Sequence, residues 1–164
     1  MPPAPSPSDA APANSVIIEA SPEQVFDVLV DPTTFPEWLV GAQRIRSVDP
    51  DWPRPGSEFR HRIGFGPLAV PGSTTIRRLR EPHELVLAAG MGPFGEATVR
   101  FVLDAVAEGT ELTIEEEPAK GLARVAWRGS RSLVSAALWG RNAVSLAALD
   151  RAVRERVDGS AQPS

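Results

Sequence analysis

The chain predicts an α+β fold, a seven-stranded antiparallel sheet curved around one long C-terminal helix, with two short helices between the first and second strands. Three observations predict it. Residues 43–117 carry six runs with a hydrophobic period of two, and the turns between them leave no room for crossover helices, so neighbours must pair antiparallel. Residues 133–157 carry the 3.6-residue period of a helix. Residues 15–41 hold a strand and the start and stop signals of two helices.

In the first strand Val16, Ile18 and Ala20 share one face, and Ser15, Ile17 and Glu19 the other. Ser21 is placed as an N-cap, Pro22 as the first helical residue and Gln24 as the far side of a capping box. Val25, Phe26 and Leu29 form the buried face of that helix. Asp31-Pro32 stops it and caps a second short helix through Thr33, Thr34 and Trp38, which ends at Gly41. The strands then follow at Gln43–Val48 and Glu58–Ile63. A third is interrupted at Pro71-Gly72 and runs over Thr74–Leu79, and the rest lie at Leu85–Ala89, Ala97–Ala105 and Glu111–Glu117. Along the last helix Val134, Leu138, Leu146, Leu149, Ala152 and Val153 fall on one side. Asp150, Arg151, Arg154 and Glu155 fall on the other.

The run from Ser15 to Gly41, with its S-P-E-Q-V-F, D-P-T-T-F-P-E-W and closing glycine, resembles the START-like (SRPBCC, Bet v 1-like) superfamily of polyketide cyclases, lipid-transfer domains and related ligand binders. The resemblance implies the helix-grip arrangement, with a ligand cavity between sheet and helix. Fold alone does not decide chemistry.

Composition fits a single core. The chain has 164 residues, 42% of them apolar. Seventeen Lys and Arg against 21 Asp and Glu give a net charge of −4, and no basic cluster stands apart from acidic neighbours, which argues against nucleic acid as a partner. Cysteine is absent, which excludes disulfides, thiolate nucleophiles and Cys-based zinc sites. Residues 1–13 are rich in Pro, Ala and Ser, lack the basic start and apolar core of a signal peptide, and read as a disordered tail; residues 158–164 read likewise. The domain is therefore expected over residues 14–157, cytoplasmic, without stable membrane insertion, as a monomer or homodimer.

The cavity should see the apolar faces of the strands. Phe59, His61 and Ile63 share one face, while Leu112 and Ile114 carry Glu116 with them. Val99 and Phe101 join that lining. From the long helix come Leu138, Asn142, Ser145 and Leu149, of which Asn142 and Ser145 interrupt the apolar stripe. An apolar lining with a few polar groups is the pattern of a pocket, about 300 to 1,000 Å3 in size, for a mostly hydrophobic ligand. Each polar residue also has a plainer reading. His61 is then a buried histidine satisfied by a carbonyl, Glu116 reaches solvent or an arginine, and Asn142 bonds a neighbouring strand. Trp38 reads as a packing anchor. Phe65, Met91 and Phe94 sit in glycine-rich turns and, with Trp127 of residues 118–131, are candidates for a portal.

No G-x-S-x-G, P-loop, H-E-x-x-H or G-x-G-x-x-G motif is present, and two separated histidines, His61 and His83, give little basis for a metal site. No cofactor is expected. Three functional classes remain: a carrier or sensor of a small hydrophobic ligand; a polyketide aromatase or cyclase with His61 or Glu116 as acid or base; and, as the resemblance also allows, a co-chaperone-like interaction module.

Overall fold

The computed structural model describes residues 13–161. The expected N-terminal tail lies outside them except for Ala13, which opens the first strand. The described residues form seven strands: β1 (Ala13–Ile18), β2 (Ala42–Val48), β3 (Glu58–Ile63), β4 (Val70–Arg80), β5 (Glu84–Gly90), β6 (Glu96–Val106) and β7 (Gly109–Lys120). They make one sheet in the order β1-β7-β6-β5-β4-β3-β2, with every neighbouring pair antiparallel. Strands β1 and β2 follow one another in the chain but lie at opposite edges, so residues 19–41 must cross the sheet. That crossing holds helix α1 (Pro22–Val30), a single 3-10 turn at Pro32–Thr34 and helix α2 (Phe35–Trp38).

The crossing is fixed by the signals written in its sequence. The Ser21 hydroxyl accepts from the Gln24 N–H at 3.3 Å, and the Gln24 side-chain oxygen accepts from the Ser21 N–H at 2.9 Å. Asp31 then accepts from the N–H and hydroxyl of Thr33, at 3.0 and 2.6 Å. The buried Thr34 hydroxyl donates to the Val28 carbonyl and accepts from the Trp38 indole N–H at 3.1 Å. Period-two alternation decides which strand residues face inward: Thr110, Leu112, Ile114 and Glu116 on β7 are buried, and so are Ala97, Val99, Phe101 and Leu103 on β6. The core lies between this concave face, α1, α2 and the C-terminal half of the last helix.

Four expectations shift. Strand β4 is continuous through Pro71-Gly72, because Val70, Pro71 and Gly72 pair with Ile63, Arg62 and His61 of β3. Pro71 lies beyond Ser73 and Gly90, the end pair of the β4–β5 ladder, so its missing N–H breaks no bond there. Strand β7 runs past Glu117 to Lys120, and residues 122–129 fold into a further helix, α3 (Leu122–Gly129). Helix α4 spans Arg131–Ala161, so residues 158–161, expected as tail, are its last turn, where the Ser160 hydroxyl donates to the Arg156 carbonyl at 2.8 Å. Buried residues of α4 begin at Asn142, and Val134 and Leu138 are only half-buried. Helical phase identifies the inward side; it carries no information on how far along the helix the core extends.

Candidate functional site

Strand alternation turns His61 inward beside Phe59, with a ring-centroid separation of 5.3 Å. His61 is 3% exposed, and among the described residues its Nδ1 has no hydrogen-bond partner. Burial pushes the pKa of His61 below its ordinary value of 6.5, which keeps the ring neutral at pH 7. Glu116, in phase with Leu112 and Ile114, is likewise 3% exposed. One guanidinium nitrogen of Arg141, on α4, donates to both of its carboxylate oxygens at 2.9 and 3.1 Å. The plainer reading of Glu116, an arginine partner, therefore holds, and the pair sits in the wall of a cavity. Among the described residues the Nε and second terminal nitrogen of Arg141 have no partner, and its side chain is 25% exposed.

The cavity measures about 30 Å3, space for about two water molecules. This corrects the expected pocket of several hundred Å3. The cause is the crossing between β1 and β2, which places Phe35 and Trp38 in the space between sheet and helix. Their rings lie 4.8 Å apart, Phe35 lies 4.7 Å from Phe59, and Trp38 lies 6.1 Å from Phe101. Trp38 is both the packing anchor its sequence suggested and a wall of the cavity.

Of the residues assigned to the lining, His61, Ile63, Val99, Phe101, Ile114 and Glu116 border the cavity. Phe59, Leu112 and Leu149 lie within the core instead, each fully buried. Leu138 lies short of the buried part of α4. Asn142 is buried next in sequence to Arg141, and its Nδ2 has no partner among the described residues. Ser145 accepts the Val40 N–H at 3.2 Å and so ties the end of the crossing to α4 rather than facing ligand space. Among the portal candidates Met91 borders the cavity, while Phe65 and Phe94 are exposed on hairpin tips. Trp127 is half-buried on α3 under the guanidinium of Arg131, 5.3 Å from the ring centroid. The sequence reading missed Arg141, Thr74 and the aliphatic wall of Leu39 and Leu87. Arg141 had a signal: an inward-facing Glu116 requires a cation, and Arg141 flanks the buried stripe one residue before Asn142.

The profile of the family described as Activator of Hsp90 ATPase homolog 1-like protein matches residues 19–149. The chain belongs to this family. Its members are START-like (SRPBCC) proteins, in agreement with the resemblance read from residues 15–41. Solved structures share the family fold. NE0264 of Nitrosomonas europaea superposes with a TM-score of 0.70 at 16% identity, over 91% of this chain and 97% of that one. SA2116 of Staphylococcus aureus gives 0.69 at 10% identity, over 89% and 94%. DynU16, a protein of the dynemicin biosynthetic locus, gives 0.63 at 18% identity, over 89% of this chain and 48% of its own. No curated protein is similar enough in sequence to count as a relative. No helix of the described residues is long and apolar enough to cross a membrane.

Proposed function

We propose that the protein binds a small, mostly apolar molecule carrying a carbonyl or carboxylate group, in the space between the sheet and α4. The observation that carries this reading is the Glu116–Arg141 pair in a wall otherwise built of aromatic and aliphatic side chains. Buried ion pairs contribute little to stability over apolar packing, and this one uses a single nitrogen of Arg141, a residue of the cavity wall, so that donors remain for an acceptor oxygen of a ligand. His61, which borders the cavity, adds a second polar group to the wall. Because the cavity is small, the ligand must displace side chains at its border, and the unbranched Met91 is the one most able to turn aside.

Anilinonaphthalene sulfonate, an apolar body with one anionic group, tests this reading. Saturable one-to-one binding is expected, weakened at least tenfold in Arg141→Met, the usual cost of a lost charged hydrogen bond. Binding should be unchanged in Val125→Glu, which alters an apolar side chain outside the cavity. If Arg141→Met does not fold, the double variant Glu116→Leu/Arg141→Met supplies the same comparison. Absence of saturable binding, or equal binding by the Arg141 variants, overturns the proposal.

A second reading has one specific observation behind it. His61 borders the cavity and burial keeps it neutral, so it is the histidine placed to accept a proton in ring closure of a poly-β-keto substrate. Turnover lowered about a hundredfold in His61→Leu, with dye binding retained, would favour it. The co-chaperone reading rests on the family's description, and it becomes the preferred one if the protein retains no small molecule in native mass spectrometry and binds no dye.

A further inference from the structure

Among the described residues ten large apolar side chains are exposed, and six of them gather at one end of the molecule. Hairpins β3–β4 and β5–β6 turn at the same end of the meander, and Lys120, the last residue of β7, pairs with Glu96 beside the second turn. Phe65 and Leu68 stand on the first tip, 73% and 82% exposed, and Phe94 on the second. Leu122 and Val125 lie on α3, 61% and 66% exposed, and Leu133 lies at the start of α4. At 100° per residue Leu122, Val125 and Ala126 share one face of α3, all three exposed, with Arg124 and Arg128 on the opposite side. Residues 118–131 contain Lys120, Arg124, Arg128 and Arg131 and no acid, in a chain of net charge −4.

We infer that this end docks on an anionic lipid surface, with α3 lying along the interface and the hairpin tips entering the headgroup layer. An amphipathic helix with basic residues and a solvent-facing apolar stripe is the form that adsorbs to such a surface. Two properties select lipid over a protein partner. The apolar groups stand on three separate projections, which suit a deformable interface better than a rigid complementary one. The charge on residues 118–131 is basic in a chain of net charge −4, which favours approach of this end to negative headgroups. Part of that charge is already engaged: Lys120 lies 3.5 Å from Glu96, Arg124 donates to the Ala119 carbonyl and Arg131 stacks over Trp127, while Glu117 lines the same surface depression as Arg124 and Arg128. The inference does not depend on the cavity.

The test is flotation of the full chain with phosphatidylcholine vesicles, with and without about one-third phosphatidylglycerol. Binding is expected to the anionic vesicles, weakened severalfold as salt is raised. Leu122→Glu/Val125→Glu should abolish it, and Arg124→Glu/Arg128→Glu should lower it at least tenfold, about fivefold or more per arginine. Both pairs are exposed, so their melts should match the parent's, and both variants should bind anilinonaphthalene sulfonate in the cavity as the parent does, which separates this inference from the proposed ligand site. No binding to anionic vesicles overturns it, as does equal flotation of the variants. A dimer in sedimentation velocity that Leu122→Glu/Val125→Glu dissolves, with no flotation by the parent, would also overturn it and assign the patch to a second copy of the chain.

Discussion

Gly72 lies across the β3–β4 ladder from His61, and a methyl group built on it would sit 3.3 Å from the imidazole Nε2 and 2.8 Å from the Gly90 carbonyl oxygen. The glycine marks a close approach of strands and imidazole rather than a break in the strand. Gly72→Ala must move backbone on β5, and it should cost about 1 to 3 kcal/mol, the range for overpacking. Urea denaturation measures this, and an unchanged midpoint would mean that the contact is looser than described.

Gly140 is the opposite case. It lies inside α4, just before the buried half begins, and a Cβ there meets nothing within 4 Å. Gly140→Ala should therefore raise stability by about 0.5 to 1 kcal/mol through the unfolded chain and helix propensity. The melting temperature should rise accordingly.

Arg141 and Glu116 must be judged as a pair. Arg141→Ala leaves a carboxylate buried without its cation, and should cost about 2 to 4 kcal/mol; the guanidinium is 25% exposed, which places the loss below that of a fully buried pair. Glu116→Leu/Arg141→Met should recover most of it. A double variant as unstable as Arg141→Ala would show that the pair is needed for the fold, and would remove the argument that it is kept for a ligand.

His61 makes stability depend on pH. Its folded pKa lies below the 6.5 of the unfolded chain, owing to burial. The unfolded state therefore takes up a proton first as pH falls through 6.5, and the folded state loses stability from there down to the folded pKa. Denaturation midpoints between pH 8 and 5 should decline in the parent, and the decline should be shallower in His61→Leu. Parallel curves would mean that the imidazole is solvated.

The buried length of α4 can be mapped by truncation of side chains. Leu149 is fully buried and Leu149→Ala should cost about 2 to 5 kcal/mol, whereas the half-buried Leu138→Ala should cost clearly less. Equal losses in thermal melts would extend the core toward the start of the helix.

Local rules were enough for much of this molecule. The capping box at Ser21 and Gln24, the stop at Asp31-Pro32 and the alternation that buries His61 and Glu116 each depend on residues within a few positions of one another, and short-range chemistry fixes them. The family resemblance rested on the same residues, and it implied the helix-grip arrangement of sheet and helix. Other features depended on distance. Whether Glu116 meets an arginine is decided 25 residues away on α4, and whether Ser145 faces ligand or backbone is decided by Val40, 105 residues away. Cavity volume is further still from local reach, because it is the small remainder after Phe35 and Trp38 of α2, Phe59 of β3 and Phe101 of β6 have packed together. The sequence by itself determined which face of each strand and helix turns inward, since periodicity follows from backbone geometry. Only the tertiary structure decided what those faces meet, because partner identity and leftover space arise from the packing of elements that periodicity treats one at a time.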